Sequence, residues 1–499
     1  MFFFRGRSPR VTPSSGQASL VLMGPVVGKV TDTTANILLE VDDTCTVTCV
    51  ATPRGSGGVV KYALQLQGRT PGVFVLKGLA PSTQYHVTFH GGMAKVHEDK
   101  LKARGCVVRT FPAHDDIKQM RIVACSCDYP TRLQDGDLNL WDHLSAECKA
   151  GKCDVMLHLG DQVYTKEHGC MQAAMRVMDE GKMDNVTPTV REKMEQMSRR
   201  KLQESYQRVW SQPGKASTLA HTSHLMIWSD NDVSNDFSTL RKKDGSQEYD
   251  ADYLAVAMSV YRGYQRALWD PPTSLMSIAE FRALPSLKEW HFHTYGPCGI
   301  FLIDSRGNRI RPTGELMPGL PDLMCEEQRK AITDAFALPN LRCMVLCSEI
   351  PFLGPDPTTV KEAAKKFEFL VDHWAHQLHE LVWLMDQAFS WKAAVPGREV
   401  LLLGGDIHVG VDSTVMDEQT GLSIRQITAS PITNHVCEYH CALEGRLNDR
   451  YTYKHTPKPK ERNFASVELD FRGNSVAMEA NLVCASDVTK PPDIPDLGK

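Results

Sequence analysis

The sequence predicts a mixed α/β fold class, with a small all-β unit at the N-terminus and a large unit of buried strands flanked by helices. Three observations carry that reading. A chain of 499 residues is too long for one compact core. From about Leu20 to Thr110, apolar and polar residues alternate over short runs, the mark of half-buried strands. From Arg121 onward, strands apolar on both faces alternate with long amphipathic segments.

Residues 1–19 open on Met1-Phe-Phe-Phe-Arg-Gly-Arg and turn Ser/Pro/Gly-rich. That apolar burst is too short for a signal-peptide core, and the stretch is expected to be disordered. In the β unit, residues 20–112, the runs 35–41, 46–50 and 84–89 alternate between Gly/Pro/Ser turns. The phrase Leu79-Ala-Pro-Ser-Thr-Gln-Tyr85-His-Val resembles the turn and strand of fibronectin type III-like sandwiches, which implies a β-sandwich with a packing role. In the larger unit, residues 113–486, strands are expected at 121–125, 155–159, 225–228, 298–303, 344–347 and 400–403. Helices are expected at 190–210, 326–336 and 361–384. Residues 466–480 read as a hairpin around Gly473-Asn474, and the Pro/Asp-rich tail 487–499 as a flexible end.

Composition narrows the function. With 56 Lys and Arg against 60 Asp and Glu, the net charge is -4, and the charges are scattered. That leaves no footprint for nucleic acid or an anionic membrane. No apolar run has the length of a transmembrane span. The fifteen cysteines are odd in number and sit mostly in strand-like apolar runs, which suits reduced thiols and a cytoplasmic protein. Cys437 and Cys441 lack partners at zinc-ribbon spacing. Oligomeric state is not legible.

Six expected strands run directly into polar clusters: Ser126-Cys127-Asp128, Gly160-Asp161, Ser229-Asp230-Asn231-Asp232, Asp304-Ser-Arg306, Ser348-Glu349-Ile-Pro351 and Gly405-Asp406-Ile-His408. A Gly-Asp after one strand is ordinarily a turn or a helix cap. Many oxygen ligands with an imidazole, delivered from several strand ends, suit metal-assisted hydrolysis instead, with Asp161 as the candidate bridge between cations. No nucleophile elbow, Walker loop or dinucleotide glycine fingerprint competes with it.

In their order, Ala124-Cys-Ser-Cys127, Leu159-Gly-Asp161-Gln-Val-Tyr164, Trp228-Ser-Asp230-Asn-Asp232-Val-Ser-Asn235-Asp236, Phe301-Leu-Ile-Asp304-Ser-Arg306 and Gly405-Asp406-Ile-His408 resemble the calcineurin-like metallophosphoesterases, in their PhoD-type alkaline phosphatase and phosphodiesterase branch. The resemblance implies a two-sheet sandwich flanked by helices, with an N-terminal β-sandwich beside it. It implies two or more metal ions and a metal-bound hydroxide that attacks phosphate mono- or diesters. Iron, zinc, manganese, magnesium and calcium are all possible. Asp161 would bridge, and Asp230, Asp406 and His408 would ligate. Cys127 stands where this branch has a ligating cysteine, with Asp128 as the rival ligand for harder ions and a buried inert thiol as the bland alternative. Tyr206 is the nearest match to a tyrosine ligand, against the alternative of a core tyrosine. Glu349 is either a ligand or an acceptor behind the ligands.

Arg306 either clamps phosphate or pairs internally with Asp304. His158 reads as a packed core histidine, and of His373, His376 and His379 on one segment the last two share a helical face, solvated or interfacial rather than a zinc site for want of a third ligand. One departure from the family pattern bears on catalysis. Family members have a histidine where this chain has Asn231, and an amide cannot transfer a proton at neutral pH. Asp232, which would orient that histidine, is free to hold the Asn231 amide. The alternative function is therefore a metal- or phosphate-binding pseudoenzyme, and a third reading makes the β-sandwich a partner-binding module.

Overall fold

The computed structural model describes residues 18–55, 57–181, 186–235, 237, 251–272, 275–309, 322–354, 356–365, 372–438, 442–458 and 460–488. The expectations for most of residues 1–19, for the tail beyond 488, for Asp236 and for Cys441 lie outside them.

Alternating runs in the N-terminal unit form seven strands in two sheets. Val21–Val30, Thr34–Val41 and Gly72–Lys77 pair in that order, and Val60–Leu66, Cys45–Pro53, Gln84–His90 and Val107–Arg109 form the second sheet. The inward residues Ile37, Leu39, Val47, Phe74, Tyr85 and Val108 fill the space between them. The Tyr85 hydroxyl accepts the Ala80 N–H at 2.8 Å and pins the turn that precedes its own strand. One helix, Lys95–Arg104, departs from the all-β expectation, because its polar sequence has no period-2 pattern to pair as a strand.

The sandwich packs on the larger unit through buried polar contacts. Asn36 Nδ2 donates to the Leu268 carbonyl at 3.0 Å, and Ser223 Oγ to the Gly28 carbonyl at 3.0 Å. A Cβ on Gly28 would stand 2.2 Å from the Leu268 oxygen, so only glycine allows this approach. Buried Glu40 accepts from Tyr264 Oη at 2.7 Å and Gln207 Nε2 at 2.9 Å.

Two sheets face each other in the larger unit. The five-stranded sheet runs Ser223–Ile227, Val155–Leu159, Gln119–Cys125, Asn463–Asp470, Ala477–Cys484. The eight-stranded sheet has His291–Tyr295, Cys298–Ile303, Cys343–Ser348 and Glu399–Gly404 at one end, then Ser423–Thr428, Val411–Asp417, Tyr451–Pro457 and Glu444–Arg446. Ile122, Leu157 and Leu225 of one meet Ile300, Val345 and Leu401 of the other in a shared core. The outer face of the eight-stranded sheet lies under helices Glu326–Phe336 and Leu378–Ala394, and that of the five-stranded sheet under Leu140–Lys149.

Parallel pairing positions the site. Strands 119–125, 155–159 and 223–227 are parallel neighbours, as are 298–303, 343–348 and 399–404. Their carboxyl ends open on one edge of the sandwich, the place where such sheets present ligands. The helix expected at 361–384 is two pieces among the described residues, Pro357–Ala364 and Leu378–Ala394, with a 3-10 turn Trp374–Gln377 leading into the second.

Candidate functional site

Each strand end turns sharply, and the sequence carries the strain at the residues that matter. Six described non-glycine residues have positive φ, and four of them are Cys127, Asp161, Asp406 and His408, at 57°, 54°, 63° and 56°. L-residues in that region cost free energy, which concentrates at functional sites. Gly160 at φ 81° and Gly405 give the turns room, since a Cβ on either would meet the Ser229 Cβ at 2.4 Å or Ser126 Oγ at 2.6 Å.

Two donor sets result, and they share one residue. Ligand atoms of Asp161, Asp230 and Asp406 all lie within 4.8 Å of one another, as do those of Cys127, Asp161 and His408. Asp161 is 1% exposed and belongs to both. Its Oδ2 accepts from Tyr164 Oη at 2.9 Å, from Asn231 Nδ2 at 3.0 Å and from Cys127 Sγ at 3.5 Å. Tyr164 Oη also lies 3.2 Å from His408 Nε2. Ser430 Oγ donates to Cys127 Sγ at 3.2 Å.

Residues 120–481 match the family of PhoD-like phosphatases over most of the chain. The chain belongs to the PhoD-like phosphatases. Residues 17–104 of this PhoD-like phosphatase match a domain of unknown function, DUF7800. Among solved structures, that of PhoD aligns over 95% of this chain and 92% of its own, with a TM-score of 0.60 at 12% identity, which shows the shared fold. GAP50, the anchor in the inner membrane complex of Plasmodium, aligns over 75% of this chain and 87% of its own at 10% identity, but with a TM-score of 0.36, too low to bear on the fold. No curated protein matches.

Electrostatics of the two sets call for cations. Burial, then the neighbouring Asp230, Cys127 and Asp406, pushes the Asp161 carboxyl well above its ordinary range. Burial and Asp230 raise Asp406 to about 8, and burial with Asp406 raises the Cys127 thiol to about 12. Buried like charges of this kind are stable when protonated or when a cation sits between them. The residues therefore fit the metals of the family: the all-oxygen set suits hard ions, and the set with a thiol and an imidazole suits iron or zinc.

Other expected residues fall in two groups. Asp230, Asn231, Arg306, Asp406 and His408 line one cavity with Asp161, together with Asn235, Ile350, Asp372 and His373. Glu349 stands behind them, accepting from Arg306 Nη2 at 3.1 Å, from Ser229 Oγ at 3.0 Å and from Ser305 Oγ. Three expectations need correction. Asp128 is no free ligand, because Trp141 Nε1 at 3.0 Å, Thr433 Oγ1 at 2.8 Å and Lys215 Nζ at 2.5 Å hold both its oxygens. Tyr206 stacks on Tyr264 and accepts from Gln265 Nε2 at 3.0 Å, so it supports the site from outside. Arg306 does not pair its guanidinium with Asp304; it reaches Glu349, Asp230 at 3.4 Å and Asp372 at 3.4 Å, while Asp304 Oδ1 accepts its backbone N–H.

Asp232 holds backbone and not the Asn231 amide. Its oxygens accept the N–H groups of Gln162 and Ser229, and Gln265 Nε2. His158 is buried between Gln162 Oε1 at 2.7 Å and His224 Nδ1 at 2.9 Å. His379 faces Asp322 at 3.1 Å. Sequence reasoning passed over Tyr164, although it stands three residues after Asp161 in the quoted motif, and His435, whose Nε2 lies 3.2 Å from His408 Nδ1.

Proposed function

We propose that this PhoD-like phosphatase is a metal-dependent phosphoesterase acting on phosphate mono- or diesters, with Asp161 common to two cation sites. The observation that carries it is the sharing of Asp161 by an all-oxygen donor set and a Cys/Asp/His set. Bound there, cations supply Lewis-acid activation of water and of the phosphoryl group. Asp230 and Asp406 would hold a hard ion and Cys127 and His408 a softer one, and Tyr164, whose hydroxyl meets Asp161 and lies 3.2 Å from His408, would supply the tyrosine expected of Tyr206.

Protein side chains do the rest. Asn231, whose amide donates to Asp161 Oδ2 at 3.0 Å, lines the cavity and would offer that amide to a phosphoryl oxygen of bound substrate. Asp232 fixes the loop that carries Asn231 by accepting its neighbours' N–H groups, and its capping contact with the Ser229 N–H, 2.9 Å long, sets where that loop begins. Arg306 balances the carboxylates and tethers Glu349, which keeps the Asp230 side of the cavity in shape.

The test is direct. Protein purified without chelators is assayed for metals by elemental analysis and for hydrolysis of aryl phosphate esters. Asp161→Asn is expected to abolish turnover, and equal hydrolysis by the variant would refute the proposal. A second reading has one observation in its favour, since asparagine at 231 lacks a transferable proton at neutral pH. Stoichiometric metal with no turnover of either ester class, across several metals, supports that binding-only protein.

A further inference from the structure

The cavity over the carboxylates encloses about 140 Å³. Its donors are mostly engaged. Asn231 Nδ2 is held by Asp161, and the terminal nitrogens of Arg306 by Glu349, Asp230, Asp372 and the Phe237 carbonyl.

Asn231 Oδ1 and Arg306 Nε are nevertheless buried without a hydrogen-bond partner, and a third such atom belongs to His373. His373 lines the same cavity, it is 9% exposed, and its Nδ1 is buried with no hydrogen-bond partner. Buried polar atoms in native proteins nearly always have a partner, so an orphaned nitrogen on a ring that lines a cavity leaves a hydrogen bond for a ligand to complete. Residues on either side hold it in place. Asp372 is bound by Arg309 at 2.7 Å and by Arg306, and Trp374 Nε1 donates to Ser348 Oγ at 3.1 Å. Gly354 lies beside the ring, where a Cβ would stand 3.4 Å from Nδ1, in ordinary van der Waals contact. Burial, aided by Arg306, lowers the imidazole to about 4, which leaves a neutral ring with one N–H donor and one acceptor near pH 7.

Resting on the phosphoesterase reading above, we propose that His373 touches the substrate and donates a hydrogen bond to the ester oxygen that leaves, providing from another loop the imidazole contact that position 231 lacks. In the hydrolysis, a P–O bond to the attacking water's oxygen forms as the P–O bond to the leaving oxygen breaks. The electron pair of the broken bond stays on the leaving oxygen, where the His373 N–H stabilises it. The proton given up by the water reaches that oxygen through solvent, and the products are phosphate and an alcohol or phenol.

Leaving-group dependence tests this. Full-length protein and its His373→Ala and His373→Gln variants are assayed on p-nitrophenyl phosphate and phenyl phosphate, with metal content and melting temperature measured on each. Metal content equal to wild type is expected. A hydrogen bond to the leaving oxygen matters most when that oxygen is basic, so kcat/KM of His373→Ala should fall roughly 10-fold further for phenyl phosphate than for p-nitrophenyl phosphate. His373→Gln, which keeps a donor, should recover part of that difference. Equal losses on the two esters, or none, would overturn the role of His373 while leaving the phosphoesterase reading intact. A metal-loaded wild type that cleaves neither these monoesters nor the corresponding aryl phosphodiesters would overturn both.

Discussion

Asp161 is the residue on which both donor sets depend, and its surroundings set the pH behaviour of the site. Asp406 beside it has an ordinary value of 3.8 and is raised to about 8 by burial and Asp230. Between those values the native state keeps a proton that the unfolded chain has released, so metal-free stability falls as pH rises across the window. Cation binding displaces the proton, so apparent metal affinity rises over the same range. Thermal melts with and without chelator from pH 5 to 9, and calorimetry in buffers of different ionisation heat, should show both trends. A metal-free melting temperature that climbs with pH would contradict the assignment. Tyr164→Phe is expected to lower affinity for the ion at the Cys127 side roughly 10- to 100-fold, read by competition with a chromophoric chelator. Tyr206→Phe should leave it near wild type, because that hydroxyl meets Gln265. Two tyrosines within one chain were distinguishable only by where their hydroxyls end.

At the level of the element, the turns after the strands do the positioning. Gly160 combines φ 81° with a space closed by Ser229, so Gly160→Ala strains the backbone and drives a methyl against a side chain 2.4 Å away. The expected cost is about 1–3 kcal/mol of stability, with metal content reduced, measured by denaturant unfolding and elemental analysis. The strand ends were legible in sequence because apolar runs stop abruptly at Gly-Asp or Asp-x-Asp. The segment before Leu378 was harder to read. Its amphipathic pattern suggested one helix over 361–384, yet Trp374 turns inward to bond Ser348, and the chain takes a 3-10 turn there. Local periodicity does not report which side chain a distant strand will capture.

Across the whole molecule, two buried polar junctions tie segments distant in sequence together. Lys215 is fully buried against Asp128 and lies over the Trp141 ring at 4.4 Å. Removing the carboxylate in Asp128→Ala leaves an unpaired buried ammonium, and a loss of about 3–5 kcal/mol is expected with metal content per folded protein unchanged. Glu40 joins the β-sandwich to Tyr264 and Gln207, and burial raises its carboxyl to about 7. Glu40→Ala should lower stability by about 1–3 kcal/mol in a single cooperative unfolding transition, seen by circular dichroism. Two separate transitions would show that the sandwich folds as an independent unit.

The sequence by itself determined the α/β class with its N-terminal β-sandwich and the set of strand ends from which Cys127, Asp161, Asp230, Asp406 and His408 come, because hydrophobic period and turn chemistry are local properties. Tertiary structure decided which of the neighbouring polar residues face the cavity. Asp128 follows Cys127 by one position, yet its carboxylate turns to Lys215 while the thiol turns to Asp161. Arg306 passes the nearby Asp304 for carboxylates on four other segments, and His373 reaches the cavity from a segment outside the strand-end motifs. Such choices depend on partners tens of residues away, brought within 4 Å by sheet packing, and no local pattern encodes them.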